Sequence, residues 1–185
     1  MPAGHQNSPA SPWIARFAPL VGRGTVLDLA CGSGRHASLF AERGHPVLAV
    51  DRDPQLGPHP NVEVSTADLE AASLPNTLAR RRFGCVVVTR YLHRPLLPWI
   101  VAAVAPAGWL LYETFAVGNE RYGHPRNPNF LLRPGELLEA VEGRLTVVAY
   151  EHGLIGSGSN RAVLQRIAAQ HTADVPELEP VSSSV

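Results

Sequence analysis

Val26-Leu-Asp-Leu-Ala-Cys-Gly-Ser-Gly-Arg35 sets a short apolar run directly against a glycine-rich turn. The run Thr25–Ala30 has the composition of a strand buried on both faces of a parallel sheet. Gly32 and Gly34 let the backbone turn tightly and leave no Cβ in the way of an approaching ligand. A helix through Ala37, Leu39, Phe40 and Ala41 should follow, stopped by Gly44. In an open α/β sheet, ligands bind outside the carboxyl ends of the strands, where the strand order reverses. The turn at 30–34 is therefore the first candidate binding element.

Outward from this turn, strands and helices alternate. His45–Val50 reads as the second strand, ending at Asp51, and Val62–Val64 as a weak third. A small helix near 73–80 precedes the run Phe83-Gly-Cys-Val-Val-Val88, a clear strand. Pro95 and Pro98 confine the start of a helix carrying Ile100, Val101 and Val104, and Trp109–Tyr112 is the fifth strand. Pro134 opens a helix through Leu137, Leu138 and Val141, at a position where its missing amide hydrogen costs nothing. Strands around 145–150 and 162–167 come last. Their connection, Gly153–Asn160, is too short to hold a crossover helix, so this pair should be antiparallel. The pattern predicts a doubly wound α/β sheet closed by a hairpin. Residues 11–170 form the domain. Residues 11–21 begin it with a short amphipathic helix on Trp13, Phe17 and Leu20, and residues 1–10 and 171–185 are expected to be flexible ends.

Three acids follow the strand order. Asp51 stands nineteen residues after Gly32, where a carboxylate can accept two hydrogen bonds from ribose hydroxyls. Asp68, after the third strand, can meet an exocyclic amine of adenine. Gly32-x-Gly34-x-x-Ala37 also satisfies the dinucleotide fingerprint, so the glycines alone do not separate a nicotinamide site from other nucleoside sites. Asp28 tilts the balance, because a nucleotide dehydrogenase usually carries an aliphatic residue there. An acid at that position can orient the glycine loop or act through water on the ammonium of an amino-acid ligand. The closing hairpin and the lack of a second catalytic domain point the same way.

On these residues the sequence resembles the class I S-adenosylmethionine-dependent methyltransferases, over roughly residues 24–168. Val26–Arg35, Ala49–Asp51, Ala67–Leu69 and Val86–Leu92 look like the family's first four motifs. Ala105-Pro-Ala-Gly-Trp-Leu-Leu111 is similar to the Pro-Gly-Gly entry into the fifth strand, with Ala107 in place of a glycine. A fainter likeness is to the small tellurite-resistance or thiopurine type. The resemblance implies a Rossmann-like seven-stranded sheet of order 3-2-1-4-5-7-6 with strand 7 antiparallel. It also implies S-adenosylmethionine as cofactor. Ala30, Cys31, Gly32, Ser33 and Gly34 would contact its methionine part, Asp51 the ribose, and Asp68 with Leu69 the adenine. Backbone from Thr89 through Arg90 to Tyr91 would lie beside the sulfonium. Arg52 either covers an adenine face or forms a surface salt bridge, and His36 is placed to touch the cofactor carboxylate.

The acceptor side is less defined. Tyr91 and His93, at the rim after the fourth strand, are the catalytic candidates; His93 has a pKa range suited to proton removal, or else it packs at the Pro95 helix. Glu113 can hold an amine or hydroxyl, or pair with a loop arginine such as Arg121 or Arg126. Residues 115–133 form a long Gly-, Asn- and Pro-rich connection, read as a lid with Tyr122, His124 and Phe130 facing inward, or as a structural wrap. Methyl transfer needs a base only when the nucleophile must shed a proton.

Composition bounds the rest. Lys plus Arg and Asp plus Glu number 16 each, so no whole-protein field attracts a polyanion, and nucleic acid is not the expected partner. The one basic run, Arg80–Arg82, reads as a solvated helix end. Residues 1–12 lack the pattern of a secretory signal and no run of about 18 apolar residues exists, so a cytoplasmic protein without a membrane span is expected. Cys31 and Cys85, the only cysteines, should lie near opposite edges of the sheet, too far apart to bridge. Two thiols also exclude the three-cysteine cluster of radical S-adenosylmethionine chemistry. The histidines show no ligand spacing, and no metal is assigned. The expected function is methylation of a small-molecule acceptor. The rivals are a nicotinamide-dependent oxidoreductase, a non-catalytic cofactor binder, and a macromolecular methyltransferase working with a partner chain.

Overall fold

The computed structural model describes residues 9–71 and 73–172, so most of the two expected flexible ends lies outside the described residues. Seven strands form one sheet of order β3-β2-β1-β4-β5-β7-β6. They are β1 (Val26–Leu29), β2 (Val47–Asp51), β3 (Val62–Thr66), β4 (Phe83–Thr89), β5 (Val104–Phe115), β6 (Thr146–Ile155) and β7 (Ala162–Gln170). The first five pair in parallel, and β7 runs antiparallel to both β5 and β6. This order, ending in an inserted antiparallel strand, differs from the 3-2-1-4-5-6 sheet of dinucleotide-binding domains.

Alternation along the strands splits the core into two layers. Leu27, Leu29, Val86, Val88, Leu110 and Tyr112 face one side, against α3 (Asn76–Ala79), α4 (Leu97–Ala102) and α5 (Glu136–Val141). Val26, Val47, Ala49, Cys85, Val87, Trp109 and Leu111 face the other, against α1 (Pro12–Phe17) and α2 (Arg35–Ala41). Ser11 caps α1 by accepting the Trp13 amide, and Trp13 and Phe17 then bury beside Trp109. Both cysteines are buried free thiols. Val26 is paired with Cys85 across adjacent strands, so Cys31 is displaced from Cys85 along the strand direction.

Three expectations change. Val104 opens β5 instead of closing α4, because Ala103 caps the helix and Val104 pairs with Phe83. Gly153 lies inside β6, since the hairpin register carries pairing through Gly153–Leu164 to Ile155–Ala162 and shortens the connection to 156–161. Leu138 projects from α5 to 37% exposure, while Leu137 and Val141 carry its buried face. Around β5, Ala107 occupies a left-handed backbone conformation at φ 61°. That is the position where the resembled motif has glycine, so the departure carries a steric cost of about 1–2 kcal/mol. Ala107→Gly should raise the melting temperature, by an amount corresponding to about 0.5–1 kcal/mol after the glycine's greater chain entropy is subtracted. Calorimetric unfolding would measure it, and an unchanged or lower melting temperature would refute the strain.

Candidate functional site

The site forms where β1, β2 and β4 end side by side. Ala30, directly after β1, and Arg90, directly after β4, are both left-handed, at φ 56° and 55°. Non-glycine residues in this region are strained, and such strain concentrates at ligand sites. Cys31 then donates its amide to Val50 O (3.0 Å), and Gly34 closes the turn by donating to Cys31 O (2.9 Å). Gly34 stands at φ 72°, where an added Cβ would lie 2.7 Å from Leu56. Asp51 completes the turn: Oδ2 accepts the Gly32 amide (2.8 Å) and Oδ1 accepts the Asp53 amide (2.9 Å). A carboxylate has about four acceptor positions, so these two bonds leave Asp51 able to accept two more from a ligand.

Two recesses meet at Ala30, Asp51 and Tyr91. The smaller, about 190 Å³, has the acids Asp51, Asp68 and Glu70 at its edge, apolar Ala67 and Leu69 below, and Arg52 at the rim. Asp68 is exposed and accepts the Glu70 amide (2.9 Å), which fixes its carboxylate at the opening. The larger, about 350 Å³, is bordered by Cys31, Gly32, Ser33, Arg35, Thr89 and Arg90. Tyr91 stands between them, and its hydroxyl is buried with no hydrogen-bond partner. Burial, together with the Glu70 and Asp68 carboxylates, pushes its pKa above the usual phenol value, so it stays a proton donor. An orphaned donor stands here beside three acids, next to apolar Ala67 and Leu69 and a turn in which only Gly32 and Gly34 lack a Cβ, so the recess offers both hydrogen-bonding groups and apolar surface to a ligand.

Other sequence candidates stand elsewhere. Asp28 is buried behind the turn and accepts the Ala37 amide (2.9 Å), so it orients α2 and not the glycine loop itself. His36 is buried beneath the larger recess. Its Nε2 accepts the Ser11 amide (3.1 Å) and its Nδ1 faces Thr89 Oγ1 (3.4 Å), so it is not open to a cofactor carboxylate. Burial, reinforced by Arg35 and Arg90, lowers its pKa to about 3. Burial raises the Cys31 thiol to about 12, which keeps it protonated. His93 is half-buried, borders neither recess and makes no side-chain cap bond. Glu113 is buried; it accepts Ser11 Oγ–H (2.8 Å) and pairs with Arg166 of β7 (3.2 Å), not with a loop arginine.

The connection after β5 also differs from the inward-facing lid. Tyr122, His124 and Phe130 are all exposed. The Arg161 guanidinium sits over the Tyr122 ring (5.4 Å). Asn119 is buried and accepts the Val163 amide (3.1 Å), while Arg94 donates to the carbonyls of Asn129 (2.9 Å) and Leu131 (2.8 Å) and pairs with Glu136 (2.6 Å). These bonds hold the base of the connection against β7 and α5. Sequence reasoning missed Arg35, Glu70 and the Ser11–Glu113–Arg166 chain. Arg35 closed the quoted motif and carried that much signal; the Ser11 contacts, which span the chain, carried none. Among the described residues no group of three or more His, Cys, Asp or Glu could hold a metal ion, and no helix is long and apolar enough to cross a membrane.

A family model described as a methyltransferase domain matches residues 3–134, and the chain belongs to that family. No curated protein matches the sequence. Among solved structures, the chain is similar to TehB from Haemophilus influenzae (TM-score 0.68, 16% identity), covering 88% of this chain but 63% of that one, less than two thirds of its length. It is similar to a 1,6-didemethyltoxoflavin N1-methyltransferase from Burkholderia thailandensis (TM-score 0.60, 21% identity, 87% of this chain and 77% of that). That protein was solved with 1,6-didemethyltoxoflavin and S-adenosylhomocysteine bound. A third is an S-adenosylmethionine-dependent methyltransferase from Mesorhizobium loti (TM-score 0.63, 17% identity, 86% and 96%). At these identities the likeness establishes the shared fold.

Two outcomes follow from the site's electrostatics. Tyr91→Phe removes a buried hydroxyl that has no partner, so it should leave stability unchanged or raise it by up to about 1–3 kcal/mol. A clear fall in melting temperature would mean that the hydroxyl is bonded. Burial raises the Asp28 carboxyl from 3.8 to about 7. The unfolded chain therefore binds fewer protons between those values, and stability falls as pH rises through that window before levelling off above it. Relative to Asp28→Asn, the parent should lose roughly 2–4 kcal/mol across the window in urea unfolding. Parallel pH profiles would contradict this.

Proposed function

We propose that this chain is a cytoplasmic enzyme that transfers a methyl group from S-adenosylmethionine to a small-molecule acceptor. The observation that carries the reading is the acid-edged recess braced by Asp51 at the junction of β1, β2 and β4, directly against the Gly32–Gly34 turn. Asp51 would accept the ribose hydroxyls. Asp68 would accept the adenine amine, with Ala67 and Leu69 beneath the ring and Tyr91 donating from the other side. Arg52 would close the rim. The turn from Ala30 to Gly34 would follow the amino-acid part into the larger recess, with Arg90 at its far border. The cofactor supplies an electrophilic methyl carbon on a positive sulfur.

The residues of this chain then act mainly by position. Aligning two reactants can contribute roughly 7–11 kcal/mol of the barrier reduction. Tyr91 holds its proton and so serves as a donor, and the ring of His93 borders neither recess. An acceptor whose nucleophilic atom carries no proton at neutral pH fits this arrangement. Its contacts would come from the rim after β4 and β5 and from the 115–133 connection if Tyr122, His124 and Phe130 turn inward on binding. The strand order speaks against a nicotinamide oxidoreductase.

Titration calorimetry with S-adenosylhomocysteine tests the reading. Asp68→Ala, which removes an exposed carboxylate with one local bond, should weaken binding about tenfold at unchanged melting temperature; tenfold is about 1.4 kcal/mol. Asp51→Ala should weaken binding further and also lower stability, because it releases the Gly32 amide. No binding by the parent at millimolar ligand would end the proposal. Tight binding without turnover across a broad acceptor panel would favour a cofactor-binding scaffold.

A further inference from the structure

The sheet has an open side away from the candidate site. β6 stands at the end of the strand order, and among the described residues no element pairs with its outer edge. With ten residues it is long for an edge strand. Proteins usually shield such an edge with lysine, proline, a bulge or a covering segment. β6 holds neither lysine nor proline, and its one acid, Glu151, is bonded back to Arg166 of β7 (2.9 Å). A bulge at Val148 is the device present, and it has a second effect. It places Val147 opposite Ala169 and Tyr150 opposite Ile167, so Val147, Tyr150, His152 and Leu154 share the face on which α5 packs.

That face carries two unmatched apolar features, one at each end of the strand. Leu154 is 45% exposed and Val147 39% exposed. Around Val147, Leu138, Val141 and Leu145 line, with Glu139 and Glu142, a recess of about 370 Å³ between the end of α5 and the start of β6. A projection and a recess at opposite ends of one strand satisfy each other through a two-fold axis, where residue i meets j and j meets i. Antiparallel pairing of β6 with a second β6 about an axis at Glu151 does this. With the bulge counted as one position, Leu154 falls opposite the partner's Val147, on the same face and beside the recess. The two Glu151 carboxylates meet at the axis on the other face, each paired with its own Arg166. Residues 173–185 of the chain fit this edge less well. Pro176 and Pro180 lack the amide that a ladder needs, and Asp174, Glu177 and Glu179 share the sign of Glu139 and Glu142.

We propose that the outer edge of β6 and the recess beside Val147 form an interface for a second copy of this chain, giving a two-fold dimer whose sheet runs on through both copies. Ladder hydrogen bonds along the edge join the copies, and Leu154 entering the partner's recess sets the register. The candidate site lies at the ends of β1, β2 and β4, with β5 and β7 between it and β6, so both copies keep their recesses open.

Sedimentation velocity on the full chain over a wide concentration range should show a species of twice the 19.9 kDa chain mass that grows at the expense of the single chain. Leu154→Glu sets a carboxylate against a recess already edged by Glu139 and Glu142, and should weaken association at least about tenfold while the dichroism spectrum stays that of the parent. Engineered thiols read the register. Val147→Cys and Leu154→Cys, prepared separately and mixed under mild oxidation, should form a mixed disulfide, because opposed residues hold their Cβ atoms about 4.5–5.5 Å apart. Neither variant alone should cross-link, because equivalent positions lie about 20 Å apart across the axis. Cys31 and Cys85 are buried and take no part. The thiol pair decides the matter if Leu154→Glu does not fold. A single chain at every concentration would overturn the interface, and so would a dimer that Leu154→Glu leaves intact. Cross-linking of either cysteine variant with itself, without the mixed product, would overturn it too.

Discussion

The Asp51 carboxylate, hydrogen-bonded to the Gly32 amide at 2.8 Å, joins the end of β2 to the turn that leaves β1. Without that bond, the turn would present an unsatisfied amide at the mouth of a cleft, two residues beyond the left-handed Ala30. One carboxylate thus holds the backbone on both sides of it, at Gly32 and at Asp53, while bordering the cavity. Asp68 and Glu70 with apolar Ala67 and Leu69, from the segment after β3, and Tyr91, from the segment after β4, border the same recess as Asp51. Parallel registry of β1 with β2 and of β1 with β4 keeps the three strand ends level, which lets residues from three separate segments border one opening.

Polarity divides across that opening. Asp68 and Glu70, with Arg52 at their rim, lie on the β2–β3 side, Arg35 and Arg90 lie on the side of α2 and β4, and Asp51 borders both. A ligand with a diol and an amine at one end and a carboxylate at the other would satisfy both halves. Behind the basic half, the chain of Ser11, His36, Thr89, Glu113 and Arg166 links α1, α2, β4, β5 and β7 through buried polar contacts. In low-dielectric surroundings such a network is stable only when fully satisfied, so it also ties Ser11, at the start of α1, to the sheet.

Legibility tracked how local each signal was. The β1 turn, the α2 helix and the positions of Asp51 and Asp68 were readable because spacing along one βαβ unit dictates them. Ala107 was readable as a departure from glycine, and the backbone angle later explained why glycine belongs there. Tyr91 was readable only as a rim residue. Its role as a donor depends on burial and on Glu70 and Asp68, which come from another segment. Glu113 was expected to meet a loop arginine, but β5–β7 pairing brings Arg166 opposite it instead. The place of the 115–133 connection was not legible, because Asn119 and Arg94 anchor its base through partners 44 and 37 residues away.

Local patterning settles the class of fold, the place of the candidate site at the end of the first strand, and the order in which acids line it. These follow from hydrophobic periodicity and short-range turn chemistry, which a single segment encodes. Which charges are neutralised and which remain available depends on long-range packing. Pairing of Glu113 with Arg166, burial of His36 against Ser11 and the unpaired state of Arg35 and Arg90 depend on distances between segments far apart in the chain. Electrostatic interaction varies with separation and local dielectric, and neither quantity exists until the sheet has closed.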